Sequence, residues 1–237
     1  SHTVLALSLS TTAVPHAARL SLFFFLLTKT PASVLPLVPW PRRCVYATVI
    51  RHGESECNLQ RRLYGRTDCA LTDKGCRQAR ESGEKLRGVE IARCIASPLI
   101  RAAETARLAF PDRRVPIELD DRLVEQYMGE FEDKPFEDML REQPELVNAM
   151  LADWTQVVPP GGESFEELRA RVQSLLDELR ETDVDTVLVA HNGPLSTAMM
   201  LLLEMPGSAV NRLWFEQGCW SCVELKGGAA RLLYFNK

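Results

Sequence analysis

The stretch VYATVIRHGESECN, Val45 to Asn58, sets a β-branched apolar run against an abrupt Arg51-His52-Gly53 and a polar continuation. The run predicts a strand over Val45–Ile50. A lone Arg-His pair after a strand carries little meaning. It gains meaning only if other parts of the chain converge on the same point.

From Val45 onward, short apolar runs alternate with helix-period segments, as in strands joined by crossover helices in a largely parallel sheet. Thr72 caps a helix to about Arg87, and Cys94–Ala96 reads as a second strand. Ser97-Pro98 then supplies an N-cap and first helical residue for a helix ending before Pro111. Val115, Ile117 and Leu119 alternate as in a half-buried strand. Between Leu123 and Gly162 the periodicity loosens into a lid or insertion with short helical pieces at Phe136–Glu142 and Glu145–Trp154. Ser164 and Glu167 form a capping box for a helix to about Arg180. Thr186–Ala190 is apolar enough for a central strand covered on both faces. Gly193-Pro194 opens another helix, and the chain closes with a hairpin, Gly218–Leu225 and Ala229–Phe235, turning at Gly227-Gly228.

Three strand-to-helix junctions now share one character: Arg51-His52-Gly53, Ser97 to Arg101, and His191-Asn192-Gly193. In doubly wound sheets such carboxyl ends gather the ligand crevice. Helix starts add partial positive charge, so the natural guest is an anion such as phosphate. Arg51 and Arg101 suit paired hydrogen bonds to its oxygens. A phosphate so held needs no imidazole for affinity, which leaves a histidine free to act as nucleophile. Nearby guanidinium charge biases one histidine toward the neutral, attacking form, and the product would be a phosphohistidine. Gly53 fits a place where the backbone passes close to the bound group. The leaving alkoxide needs a proton, and Glu125, in LVEQYMGEFE, is the candidate general acid, since a dianion nearby favours a protonated carboxyl.

RHGESECN, SPLIRAAETA, LVEQYMGEF and VAHNG resemble, in order and spacing, the motifs of the histidine phosphatase superfamily, also called phosphoglycerate mutase-like, from about Val45 onward. The resemblance implies a three-layer α/β/α sandwich with a mostly parallel central sheet and a helical insertion near the active site. It implies His52 as phosphoacceptor, Arg51, Arg101 and His191 as the phosphate pocket, Glu125 as proton donor and Asn58 as a further phosphate contact. Many members have glycine where this chain has Asn192, which puts Asn192 on the pocket rim. YGRTDCALTDKGCRQA, DWTQVVPPGGESFEELRARV and FEQGCWSCVEL are most similar to alpha-ribazole phosphatases of cobalamin nucleotide-loop assembly. Mutases generally carry a larger insertion and a C-terminal tail, so the chain's stop at Lys237 favours hydrolysis.

The expected activity is a phosphomonoester hydrolase needing no metal or other cofactor, acting on a small phosphorylated metabolite. A phosphoglycerate mutase, a broad-specificity sugar-phosphate phosphatase and a non-catalytic phospholigand-binding module are the alternatives. Tyr64 and Arg66 either touch the leaving group or shape the loop, and Trp154 belongs to the core or to the substrate mouth. Cys219-x-x-Cys222 lacks a second ligand pair and reads as packing or surface thiols.

Composition bounds the rest. The 237 residues, 46% hydrophobic, suffice for one large core. A formal charge of -4, without a Lys/Arg-rich block, argues against nucleic acid. Seven cysteines, an odd and scattered set, favour a reducing compartment, taken as the cytoplasm. Residues 1–44 contain no Asp or Glu and read as an N-terminal extension, disordered or non-native, with a targeting segment as the alternative; the domain proper is 45–237. Leu20–Leu27 is too short to span a bilayer, which takes about 20 residues. The sequence does not specify an oligomeric state.

Overall fold

The computed structural model of the protein describes residues 44–111 and 115–237. The extension expected over 1–44 lies, apart from Cys44, outside the described residues. In chain order the elements are β1 (Val45–Arg51), α1 (Glu56–Leu59), β2 (Arg62–Leu63), α2 (Asp73–Lys85), β3 (Arg93–Ala96), α3 (Ile100–Ala109) and β4 (Ile117–Leu119). There follow β5 (Lys134–Pro135), α4 (Phe136–Glu142), α5 (Pro144–Asp153), α6 (Phe165–Arg180), β6 (Thr186–Ala190), α7 (Asn192–Leu202), β7 (Trp220–Lys226) and β8 (Ala229–Tyr234).

Six strands form one sheet in the order β4-β3-β6-β1-β7-β8, parallel from β4 to β1 and antiparallel through the closing hairpin. Alternation along each strand separates two apolar layers, because successive side chains point to opposite faces. Val49, Ile95, Leu188 and Ala190 join the layer under α6 and α7, with Leu168, Val172, Leu195 and Met199. Ile50, Cys94, Ala96, Val187 and Val189 join the layer under α3, with Ala102, Ala106 and Ala109. Both faces of the sheet are thus covered, which makes the fold an α/β/α sandwich. A smaller cluster, Phe131, Met139 and Val147, lies under the insertion, which β2 and β5 tie to the loop after α1.

Several ends are where local chemistry places them. Thr72 Oγ1 accepts the N–H of Gly75 at 3.1 Å, and Ser164 and Glu167 close their reciprocal box. Ser97-Pro98 departs from expectation: α3 begins later, at Ile100, with Leu99 at the cap position and no side-chain cap of its own. The Ser97 hydroxyl is engaged with His191, and the N–H of Ile100 is met instead by Asp68 Oδ1 at 2.7 Å.

No helix among the described residues is long and apolar enough to cross a membrane. No group of three or more His, Cys, Asp or Glu side chains among them is placed to hold a metal ion.

Candidate active site

Strand register assembles the site. Arg51 pairs with Ala190 across β1 and β6, and Ala96 pairs with Val189 across β3 and β6. His52, His191 and Ser97 each follow directly at the carboxyl ends of three adjacent parallel strands. The two imidazoles accordingly lie with ring centroids 5.0 Å apart.

Both histidines are buried and hydrogen-bonded in ways that fix their tautomers. Nδ1 of His52 is 2.7 Å from the Gly53 carbonyl, which only accepts, so Nδ1 carries the proton and Nε2 keeps its lone pair. Nδ1 of His191 accepts from Arg101 Nε at 3.2 Å, so Nε2 of His191 carries the proton and donates to Ser97 Oγ at 2.8 Å. Burial, followed by the charges of Arg101 and Arg51, holds His52 well below the ordinary imidazole range. Burial and the Arg101 charge do the same to His191. Each imidazole is neutral at pH 7.

Arg101 is fully buried, and a buried guanidinium is tolerable only with its donors matched. Its two terminal nitrogens donate to the carbonyls of Thr67 (2.8 Å) and Gly65 (2.6 Å), and its plane lies 4.8 Å from the Tyr64 ring centre. One N–H on each terminal nitrogen lies beyond these two bonds and the one to His191. Arg51 donates to the Phe215 carbonyl and lies 4.8 Å from the Trp214 ring centre. Asn192 Oδ1 accepts the N–H of the same Phe215 at 3.0 Å, so the start of α7 and the end of β1 jointly hold the loop that presents Trp214.

Arg51, His52, Asn58, Glu125, Asn192 and Gly193 are among the residues that line a cavity of about 290 Å³. Leu63, Met128, Met150, Trp154 and Trp214 give the same lining an apolar part, with Arg62 and Tyr64. Asn58 Oδ1 accepts from the backbone N–H and hydroxyl of Ser55 in a capping box, leaving its amide N–H groups for a ligand. Glu125 Oε2 accepts the N–H of Gly193 at 3.3 Å, and Arg171, itself paired with Glu163 at 2.7 Å, donates to the Glu125 carbonyl. A Cβ on Gly193 would sit 2.3 Å from Glu125 Oε1, so a side chain there would displace the carboxyl.

Arg101 and His191 stand behind His52 and outside the cavity lining. Arg66 does not join the group: half-exposed, it lies 3.6 Å from Glu163 and over the Tyr127 ring. Gly53 also makes room within the fold. A Cβ would meet the Gly75 carbonyl oxygen at 2.4 Å, so the glycine lets α2 pack against the loop after β1. Cys57 and Cys69 are joined by a disulfide with Cα atoms 6.0 Å apart, a pairing the scattered cysteines did not suggest. The bridge between Ser55 and Leu71 brings the ends of that loop together. Cys219 and Cys222 are free. Ser97, Asp68 and Trp214 enter the site without having been singled out for it; of these only Ser97 carried a sequence signal, which was read as a helix cap, while Tyr64, left between touching the leaving group and shaping the loop, lines the cavity.

A family model described as histidine phosphatase superfamily (branch 1) matches residues 47–237. The chain belongs to the histidine phosphatase superfamily. It is 35% identical over 190 residues to the adenosylcobalamin/alpha-ribazole phosphatase of Salmonella typhimurium (strain LT2), spanning 79% of this chain and 94% of that protein. It is 36% identical over 168 residues to a probable phosphoglycerate mutase of Salmonella choleraesuis, spanning 70% of this chain and 78% of that protein. Among solved structures, a putative alpha-ribazole-5'-P phosphatase from Escherichia coli K-12 superposes with a TM-score of 0.76 at 31% identity, covering 82% of this chain and 97% of the other. This histidine phosphatase is a phosphomonoester hydrolase, and its sheet, helical layers and insertion are those the superfamily motifs imply.

Proposed function

We propose that the protein hydrolyses alpha-ribazole 5'-phosphate or a closely similar small phosphomonoester through a phosphohistidine on Nε2 of His52. The observation that carries this is the tautomer of His52. Its Nδ1 proton is pinned to the Gly53 carbonyl, and its unprotonated Nε2 belongs to a cavity wall shared with Arg51, Asn58 and Glu125. In the first step the Nε2 lone pair forms a bond to phosphorus, the bond from phosphorus to the leaving oxygen breaks, and the carboxyl of Glu125 gives that oxygen its proton. In the second step the Glu125 carboxylate takes a proton from water, the water oxygen bonds to phosphorus, and Nε2 departs with its electron pair, releasing phosphate.

Arg51, Asn58 and the spare N–H groups of Arg101 bind the phosphoryl oxygens, with His191 holding Arg101 in place. Asn192 acts through the rim, by anchoring Phe215. Arg66 stands at the edge of the insertion, where a bulky leaving group reaches it. The apolar part of the cavity lining supports a leaving group with a flat apolar part, the kind that Trp154, Trp214 and Met150 accommodate. The names of the Salmonella and Escherichia relatives support alpha-ribazole phosphate as that substrate.

Phosphate release from alpha-ribazole 5'-phosphate, measured with EDTA present and beside a panel of sugar phosphates and phosphoglycerates, tests the reading. An acid-labile phosphoenzyme absent from His52→Ala is expected. Full activity in His52→Ala overturns the nucleophile, and turnover confined to phosphoglycerate isomerisation overturns the substrate.

A further inference from the structure

The turn Gly65–Thr67 carries both carbonyls that hold Arg101, and one carboxylate holds the turn. Glu132 Oε1 accepts the N–H of Arg66 at 2.8 Å and that of Met128 at 3.0 Å. Its Oε2 accepts the N–H of Thr67 at 3.0 Å and also the Thr67 hydroxyl. The N–H of Gly65 lies 3.1 Å from both oxygens. Every neighbour of this carboxylate is a donor, so it is held as an anion. Burial pushes the carboxyl upward, but the bonds from Thr67, Arg66, Met128 and Gly65 outweigh it and keep Glu132 below the usual range. Burial lowers Arg101, and Glu132 is one of the groups, with Tyr64, Glu125 and Asp68, whose charge opposes that.

A purely structural reading would have Glu132 do no more than tie the insertion to the loop after α1. The direction of the turn argues for more. The Arg66 N–H fixed on Glu132 belongs to the same peptide unit as the Gly65 carbonyl, and Thr67 is held on Glu132 through its own N–H and hydroxyl, so the turn presents the Gly65 and Thr67 carbonyls to the two terminal nitrogens of Arg101. His191 fixes the third nitrogen, so the plane of the guanidinium is fully determined.

We propose that Glu132 is a positioning residue for the phosphate pocket: by fixing the Gly65–Thr67 turn it sets the orientation in which Arg101 meets the phosphoryl group. This rests on the reading of Arg101 as a phosphate ligand. Loss of the carboxylate leaves Arg101 buried and charged but free to tilt, and misplacements of about 1 Å cost about 100-fold in such sites.

The test is a double-mutant cycle on the whole chain with E132Q, R101Q and the double variant. It measures kcat/KM for p-nitrophenyl phosphate and the inhibition constants of orthophosphate and vanadate. E132Q places an amide N–H against the donors of the turn and is expected to lower kcat/KM and weaken both anions by about 10- to 100-fold. E132D, which keeps the charge, is expected to recover part of the loss. Added to R101Q, E132Q is expected to change each quantity by less than about threefold, the mark of residues acting as one unit. Should E132Q melt below the assay temperature, T67V carries the same cycle, with an expected loss of about three- to tenfold from one missing donor. The proposal is overturned if E132Q stays within about twofold of the parent protein, or if the two penalties multiply in full in the double variant. A parent-like R101Q would instead remove Arg101 from the pocket, and the positioning role with it.

Discussion

Asp68 Oδ1 accepts the backbone N–H of Ile100 at 2.7 Å, so the first turn of α3 is capped by a loop 32 residues earlier in the chain. The same helix carries Arg101 in its first turn. A cap from a distant loop therefore couples the start of α3 to the segment whose carbonyls hold Arg101. Asp68→Ala is expected to cost about 1 kcal/mol, the usual value of a lost side-chain cap, while Asp68→Asn retains most of it. Urea denaturation of the three proteins checks this, and an unchanged midpoint in Asp68→Ala would show the bond to be idle.

Gly193 and Glu125 define a second relationship, in which one residue's missing side chain is the other's space. Gly193→Ala would put a methyl group 2.3 Å from Glu125 Oε1 and must displace the carboxyl. If Glu125 protonates the leaving oxygen, the damage depends on how much that oxygen needs a proton. For alkyl phosphates, kcat/KM should fall by about 100-fold or more in Glu125→Gln and in Gly193→Ala. For p-nitrophenyl phosphate, whose leaving group departs unprotonated, the loss should stay under about tenfold. Equal losses on both substrates would assign Glu125 to binding instead.

Much of this arrangement was open to reading in the primary structure, and the exceptions share a cause. Strands, the Thr72 and Ser164 caps and the closing hairpin follow from patterns spanning a few residues. The motifs around His52, Arg101, Glu125 and His191 are likewise local. Ser97 was read as a cap because its place in the chain suits one, yet its hydroxyl is engaged by His191, 94 residues away. Gly53 carries no local sign that Gly75 packs against it. Glu132 and Asp68 act wholly across the chain, and nothing in their surroundings marks them among the many carboxylates. The pairing of Cys57 with Cys69 depends in the same way on a loop closure that composition does not reveal.

The buried histidines make stability depend on pH with a definite sign. His52 and His191 are held well below the ordinary imidazole range in the folded chain, burial being the first cause in each. The unfolded chain takes up protons on both as pH falls through about 6.5, whereas the folded chain does not. Their contribution is therefore complete above that pH and is lost below it. Together they should remove up to about 2.7 kcal/mol of stability per pH unit, or about 1.4 for each histidine. Denaturant unfolding at pH 7.5, 6 and 5 measures the slope. His52→Asn should flatten it by about half, and a slope unchanged by that substitution would place the acid sensitivity elsewhere.

Trp214 offers the most direct test of the substrate class. Its ring covers the Arg51 guanidinium at 4.8 Å, lines the cavity and remains 57% exposed, an unusual state for so large an apolar surface. Arg51 gains about 0.5–1 kcal/mol from a partner of this kind. A flat leaving group covering the outer face of the indole would bury that surface as well, adding about 0.5–1.5 kcal/mol if aromatic. Trp214→Ala should then raise KM for alpha-ribazole 5'-phosphate by about tenfold, with kcat little changed, since the contact is the same before and during reaction. Glycerol phosphate, which has no ring to place there, should lose no more than about threefold, the share owed to Arg51. Equal losses on the two substrates would reduce Trp214 to a support for Arg51 and would leave the flat leaving group without its wall.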